Sequence, residues 1–186
     1  THAIAIGFPA GVHAAFDSES VGWTTLWRGK FLDAESTWDD RFTPLAKPLG
    51  TNIIKLPSGP AVGLLQDGMP WPKGGLDFLG YRLSKGGTPT MLYRHGKTDI
   101  TDTLTPISDG LQRRMEFIGG EGNLWVRLAV AREFRTSERG EWIGDNKLTL
   151  IVPNARKRAI KGSSELITPI KLKATDKTVL EVQLSW

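Results

Sequence analysis

Short apolar runs, separated by glycine and proline, follow one another along most of the chain. The first three are His2 to Gly7, Val12 to Asp17 and Trp23 to Arg28, and each has the length of one strand. Several runs alternate apolar and polar residues, which is the period of a half-buried strand. No stretch shows a convincing helical period. The pattern therefore predicts an all-β fold that begins with a three-stranded meander.

The second half of the chain continues in the same way. Asp77 to Leu83 and Thr88 to Arg94 predict a hairpin, and we expect Gly119 to Gly122 to be a hairpin turn as well. Pro169 is expected to place its strand at a sheet edge or at a bulge, because proline cannot donate to a ladder. Further strands are predicted at 98–103, 111–118, 124–131, 147–152, 166–173 and 178–186, the last with Leu180, Val182 and Leu184 on its buried face.

These elements indicate one domain over residues 1–186, built as an antiparallel β-sandwich or a partly closed barrel. Residues 29–72 form the irregular part, in which only 52–56 and 61–65 resemble strands and five prolines interrupt any long element. A long irregular segment in a compact domain is usually a functional loop or a cover over a sheet. We expect this segment to lie over one face of the sandwich.

Composition excludes several classes of site. The chain has no cysteine, which rules out disulfides, thiolate metal sites, a cysteine nucleophile and covalent haem through a CxxCH motif. The net charge of +4 is spread along the chain, and the only basic block is Arg156-Lys157-Arg158, so nucleic-acid binding is not favoured. No apolar run approaches a membrane span. Because the chain begins at Thr1 rather than methionine, we expect a processed or excised piece.

The stretch from Trp23 to Arg41 concentrates aromatic and ionisable side chains. Asp33, Asp39 and Asp40 lie near Trp38, and two carboxylates beside an aromatic ring are what glycoside hydrolysis requires. These three are the candidate catalytic residues of a glycoside hydrolase or lyase. The alternative is that they are turn residues, with the last two paired to Arg41.

Tryptophan rings can also stack on the apolar faces of sugars, while charged neighbours bind the hydroxyls. Trp38 and Trp71 are the candidates for exposed rings, the second because Pro70 and Pro72 hold it on an irregular loop. Trp125 and Trp186 fall on alternating strands, where packing in the core is favoured. The candidate ligand-binding set is therefore Trp38, Trp71, Asp33 and Arg41.

Two weaker signals complete the inventory. His2 and His13 fall on adjacent predicted strands and, with Asp17, could form a metal or acid–base site. The simpler interpretation is that they are ordinary surface or hydrogen-bonded histidines. The block 156–158 and Lys161, together with the pair Lys171 and Lys173, could attract sulfated or uronic polysaccharide. The simpler interpretation is a solvated loop for the block and a solubilising edge strand for the lysine pair.

Several motifs carry a resemblance to a known group of domains. The segments HAIAIGFPAGVHAAFD, LWRGKFLDAESTWDDR, GYRLSKGGTPTMLYRHG and VLEVQLSW resemble an all-β domain of large secreted multidomain proteins of planctomycete-type bacteria. That domain often stands beside a c-type cytochrome domain. The resemblance implies an extracytoplasmic module that accompanies redox or carbohydrate-processing domains.

Three functional hypotheses follow. The first is a non-catalytic binding module of a larger extracytoplasmic (periplasmic or secreted) protein, with carbohydrate as the ligand and exposed tryptophans as the contact. The second is the carboxylate-dependent glycoside hydrolase or lyase. The third is a structural module that docks a c-type cytochrome or dehydrogenase domain. None of them requires a cofactor or a metal, and none involves a membrane span.

Overall fold

The computed structural model describes residues 2–35, 46–66 and 68–186. Eighteen strands lie within these ranges, and the described part of the chain contains no helix with the length and apolar character needed to cross a membrane. The strands are β1 Ala3–Gly7, β2 Val12–Asp17, β3 Gly22–Arg28, β4 Leu32–Asp33, β5 Lys47–Pro48, β6 Thr51–Lys55, β7 Val62–Gly63, β8 Asp77–Leu83, β9 Pro89–His95, β10 Thr98–Ile107, β11 Gly110–Ile118, β12 Gly122–Ala131, β13 Phe134–Thr136, β14 Trp142–Gly144, β15 Thr149–Ile151, β16 Arg156–Ile160, β17 Ser163–Leu172 and β18 Thr178–Ser185.

Three larger sheets and one small one make up the fold. The N-terminal sheet has the order β1-β2-β3-β6, and the long sheet has the order β13-β14-β15-β18-β11-β10-β9-β8. The basic sheet has the order β16-β17-β12-β7, and β4 pairs with β5. All pairs are antiparallel, and residues from all three larger sheets belong to one hydrophobic cluster. The predicted all-β sandwich is confirmed; no sheet closes on itself within the described residues.

A β-bulge in the N-terminal sheet moves Trp23 away from the face that simple alternation would give it. The alternation of β3 places Trp23, Thr25 and Trp27 together, but the β2–β3 register shifts between Ala15 and Phe16. The extra residue moves Trp23 to the core side, where its ring meets Phe16 edge-on at a centroid distance of 5.1 Å. Trp27 stays on the opposite side of the sheet. Simple alternation along β3 therefore assigns Trp23 to the wrong face of the sheet.

Gly119 to Gly122 was predicted to be a hairpin turn, but it connects two different sheets. β11 belongs to the long sheet and β12 to the basic sheet, so the two strands that flank the run are not paired. Gly120 has a φ of +73°, and a Cβ atom there would lie 2.1 Å from Thr98 Oγ1. A glycine is needed because the chain crosses with a left-handed backbone against a neighbouring strand.

Two features of the basic sheet differ from the sequence expectation. The block 156–158, interpreted as a solvated loop, is part of strand β16. Pro169 lies in β17, which has β12 on one side and β16 on the other. The pairing with β16 ends at Ile167, two residues before Pro169. At Pro169 the strand therefore has an open side, and its missing N–H leaves no gap in the ladder. The prediction of an edge is correct locally but not for the strand as a whole.

The irregular segment 29–72 has contacts with two sheets. Phe31 stacks on Trp27 outside the N-terminal sheet, with a centroid distance of 5.9 Å and an interplanar angle of 13°. Near the other end, Trp71 and Pro72 lie against the basic sheet. Between these points, β6 belongs to the N-terminal sheet and β7 belongs to the basic sheet. The two strands lie close to those predicted at 52–56 and 61–65. The segment is thus attached at both ends to outer sheet faces.

A buried ion pair stands inside the long sheet. The Arg113 guanidinium donates through Nε to Asp102 Oδ1 at 3.0 Å and through Nη2 to Oδ2 at 2.7 Å. The Tyr93 hydroxyl donates to Asp102 Oδ2 at 3.0 Å. Burial, reinforced by the negative charge of Asp102, raises the pKa of the Tyr93 hydroxyl well above its ordinary value. Tyr93 is therefore a neutral donor, and all three side chains act as one structural unit.

The raised pKa of the Tyr93 hydroxyl should lower the free energy of unfolding at alkaline pH. Above a pH of about 10 the unfolded chain ionises this tyrosine, whereas the folded chain keeps it protonated. The folded state then holds more protons, so the free energy of unfolding falls as pH rises through that range. We expect Tyr93→Phe to flatten this fall in urea titrations above pH 10, and Tyr81→Phe, at an exposed position, to leave it unchanged. An unchanged slope in Tyr93→Phe would contradict this assignment.

Candidate functional site

The outer face of the basic sheet carries a group of arginines and Trp125, and Trp71 lies beside them. Alternation places Trp125 and Arg127 of β12 on this face, with Arg156 and Arg158 of β16 beyond the intervening strand β17. Trp71 and Ile167 are buried but lie outside the main hydrophobic cluster.

Glu165 of β17 is the centre of this face. Its carboxylate is fully buried, with a side-chain exposure of 0%. Arg127 Nε donates to Oε2 at 2.7 Å from one side, and the Arg158 guanidinium donates to Oε1 from the other. The β16–β17–β12 pairing creates this triad, because it brings Arg158 opposite Glu165 and Arg127 opposite Ile167. A carboxylate buried between two arginines keeps both guanidinium groups in fixed positions.

The same arginines attach the irregular segment to the sheet. Arg127 Nη1 donates to the Ser58 carbonyl at 3.0 Å, and Arg158 Nη1 donates to the Met69 carbonyl at 2.6 Å. The Trp71 indole N–H donates to the Pro60 carbonyl at 2.8 Å, and the Arg127 guanidinium lies 5.7 Å from the Trp71 ring centroid. These bonds hold residues 58–60 and 68–72 as a wall beside the two arginines.

Gly63 lets this wall approach the sheet. A Cβ atom at Gly63 would lie 2.5 Å from Pro72 Cγ, and the proline ring cannot rotate away. We expect Gly63→Ala to displace Trp71 and Pro72, to cost about 1–3 kcal/mol of stability and to shift the tryptophan emission to the red. Gly74→Ala, with open space around its Cβ, is the matched control in the same segment. Equal effects of the two substitutions would show that the Gly63–Pro72 contact is unimportant.

The wall and the sheet enclose what we call the basic pocket. It has a volume of about 490 Å³, and its charged lining residues are Lys73, Arg127, Arg158, Lys161 and Glu165. Both lysines are exposed, and neither forms an ion pair with a described carboxylate. Four cations around one carboxylate, itself used by the arginines, leave a positive potential at the mouth of the pocket. The arrangement can bind an anion and offers polar groups to hydroxyls.

A second pocket, of about 620 Å³, is less suited to a charged ligand. Glu133 and Asp145 line it together with Arg135 and Lys147, so that both signs of charge are present. The Asp145 carboxylate already accepts from Arg132 Nε at 2.8 Å, and Arg132 holds the pKa of Asp145 below its usual range.

Comparison of the chain with known protein families, characterised proteins and solved structures gives no match. The basic pocket is therefore the candidate site on its geometry and electrostatics.

The candidate residues of the irregular segment are only partly placed. Trp38, Asp39, Asp40 and Arg41 lie outside the described residues. Asp33 is exposed at the end of β4, where its Oδ1 accepts the backbone N–H of Glu35 at 3.0 Å. Among described residues, Asp33 is thus a turn-forming carboxylate at an exposed position.

Trp71 is at the candidate site but not in the predicted way. Its exposed fraction is only 8%, so the expectation of an exposed stacking ring was wrong. The indole N–H is used by the Pro60 carbonyl and the ring lies near Arg127. Flanking prolines do place the residue outside regular structure, as predicted. The segment then folds back on the sheet and buries the ring.

Trp125 and Arg156 are the residues that sequence analysis missed. Trp125 was assigned to the core, but it is only half-buried and faces outward, because the core side of β12 belongs to its neighbours Leu124 and Val126. The Arg156 guanidinium stacks on the Trp125 ring, 4.0 Å from its centroid. The alternation of β12 contained this signal. The basic block and Lys161 were recognised, but their proximity to Trp71 was not.

The histidines do not form the site considered from the sequence. In the β1–β2 register, His13 is opposite Gly7, whereas His2 lies at the other end of the hairpin, 3.1 Å from Glu19 Oε2. His13 is buried against Trp27, with Nε2 2.7 Å from the Gly29 carbonyl. Within the described ranges no group of three His, Asp or Glu side chains is arranged to hold a metal ion.

Proposed function

We propose that the chain is a non-catalytic binding module that takes an acidic carbohydrate in the basic pocket. The observation that carries the proposal is the set of four cations, Lys73, Arg127, Arg158 and Lys161, around a single buried carboxylate. A ligand with carboxylate or sulfate groups would meet two arginines that are already held in place, so that little conformational entropy is lost on binding. The two lysines would add electrostatic attraction from the rim.

The pocket favours a polar ligand over a flat aromatic one. Trp71 is buried, and the Arg156 guanidinium lies over the Trp125 ring where a nucleobase would stack. The guanidinium groups and the lysines instead place charged hydrogen-bond donors around the opening. Tryptophan here supports the arginines, in contrast to the sugar-stacking role expected from the sequence.

The experiment is a titration of thermal stability and intrinsic fluorescence with oligogalacturonate, a heparin-derived oligosaccharide and a neutral malto-oligosaccharide. A ligand at 100 times its dissociation constant adds about 2.7 kcal/mol to the free energy of unfolding. We expect one or both acidic ligands to stabilise the protein and the neutral one to have no effect. Since each lysine adds a charge-assisted contact, Lys73→Ala and Lys161→Ala should each weaken binding by about tenfold.

Lys85→Ala is the charge-matched control, because Lys85 is exposed in the β8–β9 turn on another sheet. It should bind like the unsubstituted chain. Equal stabilisation by neutral and acidic sugars would contradict the role of the cations. Equal losses in all three lysine variants would place binding elsewhere or make it a general charge effect.

The other two hypotheses remain without a supporting constellation. For a glycoside hydrolase or lyase, only Asp33 of the three candidate carboxylates is described, and it is exposed at a turn. For a docking module, β8 at the edge of the long sheet exposes Leu79, Tyr81 and Leu83, which gives an apolar strip but does not identify a c-type cytochrome or dehydrogenase partner. Extracytoplasmic location stays a prediction from the resemblance, and it suits a module that meets acidic polysaccharide.

A further inference from the structure

The outer face of the basic sheet has more cationic surface than the basic pocket uses. Arg156 is exposed and lies on the partly exposed ring of Trp125, with 4.0 Å between the guanidinium carbon and the ring centroid. Arg156 forms no ion pair with a described carboxylate. Stacking fixes the plane of the guanidinium while its N–H groups remain free at the edges. We call this pair the Trp125 platform.

Register places the platform in line with the pocket. On β17, Glu165, Ile167, Pro169 and Lys171 alternate onto the outer face, and Trp125 of β12 is opposite Pro169. Lys171 lies six positions after Glu165 along the strand, which corresponds to about 20 Å. Lys171 is exposed and is opposite Asn123. The pocket, the platform and Lys171 therefore follow one another along the strands.

We propose that the Trp125 platform and Lys171 form a second anion subsite, so that the ligand is a polymer with charges on repeated units that lies along β12 and β17. This inference rests on the proposed function. A single acidic sugar would fill only the basic pocket, whereas a chain leaving the pocket along the sheet meets Arg156 next. Each further charge-assisted hydrogen bond adds to the affinity of a longer chain.

The experiment measures dissociation constants for acidic oligosaccharides of increasing length, from a digalacturonate upward. We expect affinity to rise with length and then level off once the chain reaches Lys171. Arg156→Ala should weaken binding of the long oligomer by about tenfold and leave digalacturonate binding unchanged. Lys73→Ala should weaken both.

Lys157→Ala is the matched control, because Lys157 neighbours Arg156 on β16 but reaches the Phe134 carbonyl at 3.5 Å on the other side of the strand. It should not affect either oligomer. If digalacturonate binds but longer chains bind no better, the second subsite is overturned and the pocket stands. If no acidic sugar binds at all, the proposed function itself fails. Tighter binding of a single-stranded oligonucleotide than of the acidic oligomer would overturn the carbohydrate assignment.

Discussion

Replacing Asp102 with alanine should lower the free energy of unfolding by about 3–5 kcal/mol, one of the two largest effects we expect. The substitution would leave the Arg113 guanidinium buried, with 4% of the residue exposed and its bidentate carboxylate lost. It would also deprive the Tyr93 hydroxyl of its acceptor. A buried cation without a partner costs far more than the paired unit contributes, because its hydration cannot be recovered.

Urea denaturation at neutral pH measures this effect, and two variants control it. Arg94→Ala breaks the exposed Arg94–Asp99 pair on the same β9–β10 ladder, and we expect the denaturation midpoint to change little. Asp102→Leu combined with Arg113→Met removes both charges, and it should recover much of the stability lost in Asp102→Ala. A loss in Asp102→Ala no larger than that in Arg94→Ala would show that the buried pair is not structural.

The second large effect is expected at Glu165. Glu165→Ala removes the carboxylate that Arg127 and Arg158 share, and we expect a loss of about 3 kcal/mol, the lower end of the range for a broken buried pair. The Arg127 and Arg158 side chains are 14% and 21% exposed, so water can hydrate their charges in part after the substitution. The loss should also loosen residues 58–60 and 68–72, since Ser58 and Met69 are bound by these arginines.

Hydrogen exchange separates this local loosening from global destabilisation. We expect amides of residues 58–60 and 68–72 to exchange faster in Glu165→Ala under native conditions, while β10 and β11 of the long sheet keep their protection. Glu181→Ala, which removes a half-exposed carboxylate paired with Arg114, should leave both regions unchanged. Uniformly faster exchange in Glu165→Ala would mean that the triad supports the whole fold and has no special connection to the pocket wall.

Most strands could be predicted from the sequence, because they depend on local alternation of apolar and polar residues and on the glycines and prolines that separate the runs. β18 has the buried face expected from Leu180, Val182 and Leu184. The face of Trp23 could not be predicted, because the bulge opposite Phe16 depends on how two strands pair. Likewise, nothing local distinguishes the glycine run 119–122, which changes sheets, from a hairpin turn.

The candidate site was harder to predict, since it is assembled from distant segments. Glu165 looks like any strand carboxylate until pairing places Arg158 opposite it and Arg127 beside it. Trp71 was recognised as part of a site, but its burial goes with a hydrogen bond to the Pro60 carbonyl and contacts with the sheet that sequence spacing does not encode. Trp125 could have been found from alternation alone, because its neighbours Leu124 and Val126 already supply the core side of β12.

Chemical-shift mapping by NMR with an acidic oligogalacturonate tests the central claim most directly. We predict that backbone and indole resonances shift at Trp71, Trp125 and Arg127, and along 156–161 and 163–171, with the neutral malto-oligosaccharide causing no shifts there. The N-terminal sheet, including the Trp27 indole stacked under Phe31, should be unaffected. Shifts concentrated around Trp27 and Phe31, with the basic sheet unchanged, would contradict a binding face on β12, β16 and β17.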